Sequence, residues 1–421
     1  MISRESARRA TIAIGASLAA MSRCHLFSGL AAVLLACGGA VAPVPSRAVA
    51  ADPVATTVTG PAAPPPAPAP PRPTPIPGGS ITVTVLPASV YVERGASAQL
   101  VNCDLRIDNG TGVPWRLLAI ELSVHDRTGA LAWRKLVNDN GVSPGILTVP
   151  NRDVPASGPV LLLNPLHELP LAIEPAKLRF ELTFQRPDGD ERTTTTADVV
   201  PVVYQDKVAL RLPLAGRVLV WDGHDYLAHH RRWDYLFAPI REMGFDSNAA
   251  RYSYDLVPVD ASGAMHKGDP RDDAGYVGFG QPVLAPGAGT VIAVVNDQPD
   301  HHDFDMAALK AELLVIYGNR VLIDHGHSEI SVLAHLKQHS VMVKVGDKVV
   351  AGQPIAAIGA SGSAFFPHLH YQLQDGPTGH AEGVPSYFHD FGRVLGARTS
   401  PVKLGAIDSG DLVESTAAPR R

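Results

Sequence analysis

Pro367-His368-Leu369-His370-Tyr371-Gln372-Leu373 is the stretch on which both the fold and the chemistry turn. Polar and apolar residues alternate here at a spacing of two, which predicts a β-strand whose residues i and i+2 project from one face. His368 and His370 therefore point together, with Leu369 opposite. At a rise of roughly 3.3 Å per residue their Cα atoms stand about 6–7 Å apart. That spacing lets one imidazole hold a metal while the other acts on what the metal holds. Alone, the pair fits equally well two solvent-facing histidines on an edge strand. The distribution of histidine tips the balance: of 17 in the chain, 14 lie between His224 and His389. Histidine is the commonest metal ligand and the side chain that titrates near neutral pH. The cysteines, Cys24, Cys37 and Cys103, all fall in the first quarter, so no thiolate site is open to the histidine-rich half.

Outward from this strand come further short strands and tight turns. The run Leu333-Ala334-His335-Leu336 precedes Val345-Gly346-Asp347-Lys348-Val349 and Gly352-Gln353. Gly359-Ala360-Ser361-Gly362 then leads into the histidine strand. Upstream stand Arg251-Tyr252-Ser253-Tyr254-Asp255 and the run Gly280-Gln281-Pro282-Val283-Leu284-Ala285, which continues through Gly289-Thr290-Val291. Strands are expected over 217–221, 251–257, 290–295, 320–324, 331–335 and 369–374, with one helix over 306–314 and glycines marking the turns.

In this order the elements between Arg251 and Leu373 resemble the LytM/lysostaphin-type zinc metallopeptidases of bacterial cell walls. The resemblance implies a β-rich hybrid-barrel peptidase domain, Zn2+ as cofactor and peptidoglycan as the partner. It implies Asp255 and His370 as metal ligands. It also implies His335 and His368 as the groups flanking the attacking water, as general base and transition-state stabiliser. Catalytic zinc keeps three protein ligands and an open position, and neutral imidazoles nearby can take and return a proton. One departure stands out. The family has a first-ligand histidine four residues before the aspartate, and this chain has Arg251, whose guanidinium has no lone pair to offer. The third ligand is then expected from His224-Asp225-Tyr226-Leu227-Ala228-His229-His230, with His230 preferred and His229 the alternative. Asp300-His301-His302-Asp303 reads as a solvated loop. Tyr252, Tyr254, Phe365, Phe366 and Tyr371 read equally as groove lining or as core.

Three functions compete. The first is a zinc metalloendopeptidase, a hydrolase cutting peptide cross-links of peptidoglycan. The second is a zinc-free, degenerate relative that binds or activates another cell-wall hydrolase. The third is a carrier or phosphotransfer module, disfavoured because no lysine sits in a matching turn.

The remainder of the chain frames this domain. Residues 79–206 carry alternating β-branched runs such as Ser80–Val85, Gln99–Ile107, Leu117–His125, Lys177–Gln185 and Thr194–Tyr204, separated by turn clusters. They predict an antiparallel β-sandwich. Between Pro61 and Pro77, 10 of 17 residues are proline, so 51–78 reads as a semi-rigid polyproline spacer. Residues 1–50 read as an export segment, starting at Met1 or Met21. The apolar run Leu26–Ala36 is too short to span a bilayer. Leu34-Leu35-Ala36-Cys37 resembles a lipobox, which would make Cys37 a lipid anchor, while Ala48-Val49-Ala50 fits ordinary signal cleavage. The expected location is the cell envelope or periplasm. Net charge is −5, with no basic excess to favour nucleic acid. The expected fold class is mainly β, a sandwich followed by the peptidase domain at 207–400, with a disordered polar tail over 401–421.

Overall fold

A computed structural model of the chain describes residues 79–149 and 151–415. The export segment with Cys37, the Pro/Ala-rich spacer and the last six residues lie outside the described residues. No helix among the described residues is long and apolar enough to cross a membrane.

The chain is mainly β. In the N-terminal region the strands Ile81–Leu86, Asp104–Asn109 and Pro159–Leu162 form one sheet. Arg192–Val199, Lys177–Gln185, Trp115–His125 and Leu131–Asn138 form the spine of a second. A third holds Val202–Val203, Tyr91–Arg94, Gln99–Val101 and Glu168–Leu169. One apolar core gathers side chains from all three, among them Leu105, Leu122, Phe180 and Val92. Two expected strands are each split. Gln99–Ile107 breaks at Asn102-Cys103, both of them buried. Thr194–Tyr204 breaks at Val200-Pro201, since proline has no N–H for the ladder.

The C-terminal region is built on a ten-stranded sheet. Its middle runs Asn319–Asp324, Ile330–Leu336, Leu369–Gln374, Tyr254–Pro258 and Gly216–Asp222, each antiparallel to the next. Along Leu369–Gln374 the alternation is clean. Leu369, Tyr371 and Leu373 enter the main core with Tyr254, Leu256, Val218 and Val220, while His370, Gln372 and Gln374 face the other side, also buried. The expected strand over 251–257 begins only at Tyr254. The expected helix over 306–314 is α-helical over Met306–Ala311, where the Asp305 side chain accepts from the amides of Ala307 and Ala308. It then tightens to a 3-10 turn over Leu313–Tyr317.

The expectation of a disordered tail over 401–421 is corrected for residues 401–415, the part of it that is described. Arg398–Gly405 pairs with Phe388–Leu395 as an edge strand, and Leu412–Ser415 pairs with Gly216–Asp222 in the sheet. Val413 is fully buried in the main core.

Candidate metal centre

Four neighbouring strands carry the site in one cross-strand row. His370 is the register partner of Asp255 on one side and of Ala334 on the other, and Asp255 is the partner of Asp222. Two backbone irregularities complete the row. A bulge between Val220 and Asp222 breaks the alternation that sends Val218 and Val220 into the core, and so aims Asp222 at the site face. At His335, φ is +56°. Strict alternation would send His335 inward beside Leu333; the left-handed residue turns it out, and Leu336 takes the core position. Such a conformation in a non-glycine residue costs on the order of 1–3 kcal/mol and persists only where the surroundings hold it. Here the Gly359 amide donates to the His335 carbonyl at 2.9 Å. A side chain at Gly359 would meet Asp300 Oδ1 and the Lys337 backbone at 2.3 Å, so only glycine admits this approach.

The imidazoles converge on Asp255, which is buried. Its Oδ1 stands 3.1 Å from His370 Nδ1, 3.4 Å from His368 Nε2 and 3.8 Å from His230 Nε2. One donor atom each from His230, Asp255 and His370 lie within 4.8 Å of one another. His229 Nε2 is 4.0 Å from the other carboxylate oxygen, and its donor atoms group instead with Asp222 and His230. The His335 ring lies 4.9 Å from that of His368 and 5.8 Å from that of His370.

Each of these rings has its outward nitrogen already engaged by an acceptor. His230 Nδ1 donates to Asp222 Oδ2 at 2.5 Å, His335 Nδ1 to the Ser361 carbonyl at 2.8 Å, and His368 Nδ1 to the Phe366 carbonyl at 2.7 Å. His370 Nε2 donates to Gln372 Oε1 at 2.9 Å. The Gln372 amide in turn donates to Gln374, whose amide reaches the carbonyls of Gly376 and Thr378 at 2.6 and 3.1 Å. Because that chain ends on carbonyls, which only accept, its direction is fixed. A neutral ring that donates from one nitrogen keeps a lone pair on the other, so lone pairs remain at His230 Nε2, His335 Nε2 and His370 Nδ1, while His368 Nε2 faces Asp255 Oδ1 at 3.4 Å. Such outer hydrogen bonds set the tautomer of a metal-binding histidine. The set of two imidazole nitrogens and one carboxylate oxygen suits a divalent zinc ion.

Charge follows the same layout. Burial alone would raise the Asp255 carboxyl, but the imidazoles of His230, His368 and His370 override it and hold it well below the usual carboxylate range. Burial, reinforced by neighbouring His229, lowers His230. Burial also lowers His335, well below its ordinary value, with His368 and His370 adding to the effect. His368 is raised: burial opposes its charge, and Asp255 more than compensates.

Sequence reading missed three neighbours. Asp222 orients His230, and only its closeness to the His224–His230 segment could have drawn attention to it. Tyr317 stacks on His370 with ring centres 4.6 Å apart. Glu93 of the N-terminal region sits 2.5 Å from His224 Nε2, with both side chains almost wholly buried. Other histidines do structural work. His325 bonds the Ala288 carbonyl and Ser331 Oγ. His302 bonds the Ala364 carbonyl and Asp273, and Asp300 accepts from the Ala360 and Gln338 amides, while His301 and Asp303 are exposed. Of the five aromatics, Tyr252, Tyr254 and Tyr371 are core. Phe365 is exposed, and Phe366 lies between Trp221, Tyr276 and His368.

Residues 276–381 match the model of Peptidase family M23. The match takes in His335, His368 and His370; His230 and Asp255 lie upstream of it. Peptidoglycan DD-endopeptidase ShyA of Vibrio cholerae is 34% identical over 90 residues, 21% of this chain and 20% of that protein. Murein hydrolase activator EnvC of Escherichia coli is 36% identical over 70 residues, 17% of this chain and 16% of its own length. The chain thus matches about a fifth or less of the length of these relatives. Among solved structures, the catalytic domain of the peptidase lysostaphin from Staphylococcus simulans aligns at 21% identity over 31% of this chain and 74% of that chain, with a TM-score of 0.21.

Proposed function

We propose that the chain is an exported, zinc-dependent metalloendopeptidase that hydrolyses peptide cross-links of peptidoglycan in the cell envelope, held to a membrane through lipid on Cys37. One observation carries the catalytic part. The metal-binding nitrogens and oxygen of His230, Asp255 and His370 converge while every other ring nitrogen is already hydrogen-bonded outward. A site that had lost its metal would have no need of this orientation. His230, Asp255 and His370 are the ligands in this reading, and His229 is a neighbour sharing Asp222. Arg251 in place of the usual first ligand then marks a ligand moved to another segment.

Zinc, when bound, supplies a Lewis acid that polarises the scissile carbonyl and makes water a nucleophile near neutral pH. The residues around it do the rest. His335 Nε2, with its tautomer fixed by Ser361, takes the proton from the attacking water and returns it to the leaving amine. His368, whose ring neighbours that of His335, steadies the charge that develops on the carbonyl oxygen. Trp221, Phe366 and Tyr276 form an aromatic wall against which the peptide lies. The cell-wall substrate rests on the names of the two relatives.

Metal analysis of the purified chain, with a release assay on purified peptidoglycan, tests this. Wild type is expected to hold zinc and free new peptide amines. His230→Ala is expected to lose both, and His229→Ala to keep the metal. A wild-type chain without zinc or product refutes the reading. A chain that releases nothing yet accelerates another wall hydrolase establishes the activator reading instead.

A further inference from the structure

The segment that carries His230 is poorly equipped to hold itself. It is a three-residue 3-10 turn, His230–Arg232, with no side-chain cap. What fixes it comes from elsewhere in the molecule. Asn248 Nδ2 donates to the His230 carbonyl at 2.9 Å. The Asn248 carbonyl accepts from the Arg251 amide at 3.1 Å, and the Asn248 amide donates to Glu382 Oε1 at 3.5 Å. Arg251 Nε reaches Glu382 Oε2 at 3.4 Å, and its Nη1 donates to Asp104 Oδ2 at 2.8 Å and to Asn102 Oδ1 at 3.3 Å. Asp104 and Asn102 belong to the N-terminal region. Both Arg251 and Asp104 have fully buried side chains.

A second tie acts on the next residue. Arg231 lies 3.7 Å from Glu93 and places its guanidinium 4.6 Å above the Tyr252 ring. Glu93 is in turn held by His224 at 2.5 Å and by Tyr387 at 2.7 Å. Glu93 of the N-terminal region therefore grips the His230 segment directly, and Asp104 and Asn102 reach it through Arg251 and Asn248.

We propose that Arg251 and Asn248 are positioning residues which, anchored on Asp104, hold His230 within binding distance of Asp255 and His370. The N-terminal region is then a structural part of the metal centre, and the arginine at the vacated ligand position secures the replacement ligand. The inference rests on the reading of His230, Asp255 and His370 as the ligand set. Metal ligands tolerate displacements of only about 0.5 Å, and supporting groups with locked rotamers supply that precision. A buried ion pair is by itself weak evidence for stability, so the contacts must be tested for what they do to the metal.

The test uses the full chain and two variants, Asp104→Asn and Asn248→Ala. Zinc affinity is measured by competition with a chelator, the visible absorption of the cobalt-substituted chain reports ligand geometry, and thermal unfolding without metal reports the fold. Asn248→Ala leaves the Arg251–Asp104 pair intact, so it carries the test where Asp104→Asn fails to fold. The expected result is a loss of zinc affinity of about 10–100-fold, the range found when outer contacts of metal ligands are removed, with an altered cobalt spectrum. A merely structural role would lower the unfolding temperature and leave both metal readouts unchanged, and that outcome overturns the proposal. If wild type needs His230 for zinc while folded Asn248→Ala binds it normally, only this inference falls. If wild type binds no zinc, the ligand assignment falls and takes this with it.

Discussion

Arg251→His is the substitution that the family pattern invites, since it writes the usual first ligand back into the chain. The structure predicts that it damages the protein instead. Arg251 and Asp104 are wholly buried and 2.8 Å apart. Burial disfavours the charged guanidinium, but the Asp104 and Glu382 carboxylates outweigh it and keep the arginine charged. Without that cation Asp104 retains only the Asn164 amide at 3.0 Å. Breaking a buried pair by removing one partner costs about 3–5 kcal/mol, and the total stability of a domain is only about 5–15 kcal/mol. Glu382, with its side chain 24% exposed, can turn to water and adds little. The loss should therefore be about 3–5 kcal/mol by urea unfolding, with zinc affinity weakened rather than improved. The sign of the pH dependence is fixed as well. Burial already pushes the Asp104 carboxyl up against the pull of Arg251, and in the variant only the weaker pulls of the Asn164 amide and Arg232 still oppose that push. A folded-state pKa above the unfolded one gives stability that is present below the unfolded value, roughly pH 4, and is lost as pH rises. The deficit should thus be smaller at pH 5 than at pH 8. A variant within about 1 kcal/mol of wild type that also binds zinc more tightly would show the logic of the buried pair to be wrong.

Three further outcomes are expected. Asp222→Asn keeps an acceptor near His230 Nδ1 but removes the charge, so zinc affinity should fall about 10-fold by chelator competition; unchanged affinity would remove Asp222 from the centre. His335→Ala should retain zinc and lose peptidoglycan hydrolysis by a factor of about 10²–10⁴, the range for a general base; loss of the metal would make His335 a ligand instead. Cys103 is buried, and that burial raises its thiol from 9.0 to about 12. A chain carrying Cys24→Ser and Cys37→Ser should then show no thiol reactive with an aromatic disulfide at pH 8 until it is unfolded. Because the folded form keeps the proton longer, the thiol's contribution to stability is intact below pH 9 and is lost towards pH 12. The slope is at most about 1.4 kcal/mol per pH unit, and it should vanish in Cys103→Ala.

The parts of this molecule that follow strict alternation were legible in its sequence, and the parts that break it were not. Leu369–Gln374 reads correctly because each odd residue is apolar and enters the core, so the even residues His370, Gln372 and Gln374 must share the opposite face. His335 was legible as a residue but not in its direction, because its aim depends on a φ of +56°, and no local pattern encodes that. Asp222 is hidden by the same cause: counting by twos from Val218 and Val220 puts it in the core, and only the bulge takes it out. The edge strand Arg398–Gly405 buries almost nothing and so carries no apolar face to read, and its Pro401 is tolerable because edge positions leave amides unpaired.

Arg251 illustrates a different limit. Its sequence neighbours say only that a histidine is missing. The reason lies 147 residues away at Asp104, on a strand of another sheet. Two charges with no partner in their own segment can be buried only if the fold brings them together, since an isolated buried charge is too costly to keep. The pair therefore fixes how the N-terminal region meets the strand that carries Asp255. It also ties the departure from the family pattern to the N-terminal region: with His230 as the proposed ligand, the arginine at the old position reaches the region that holds that segment.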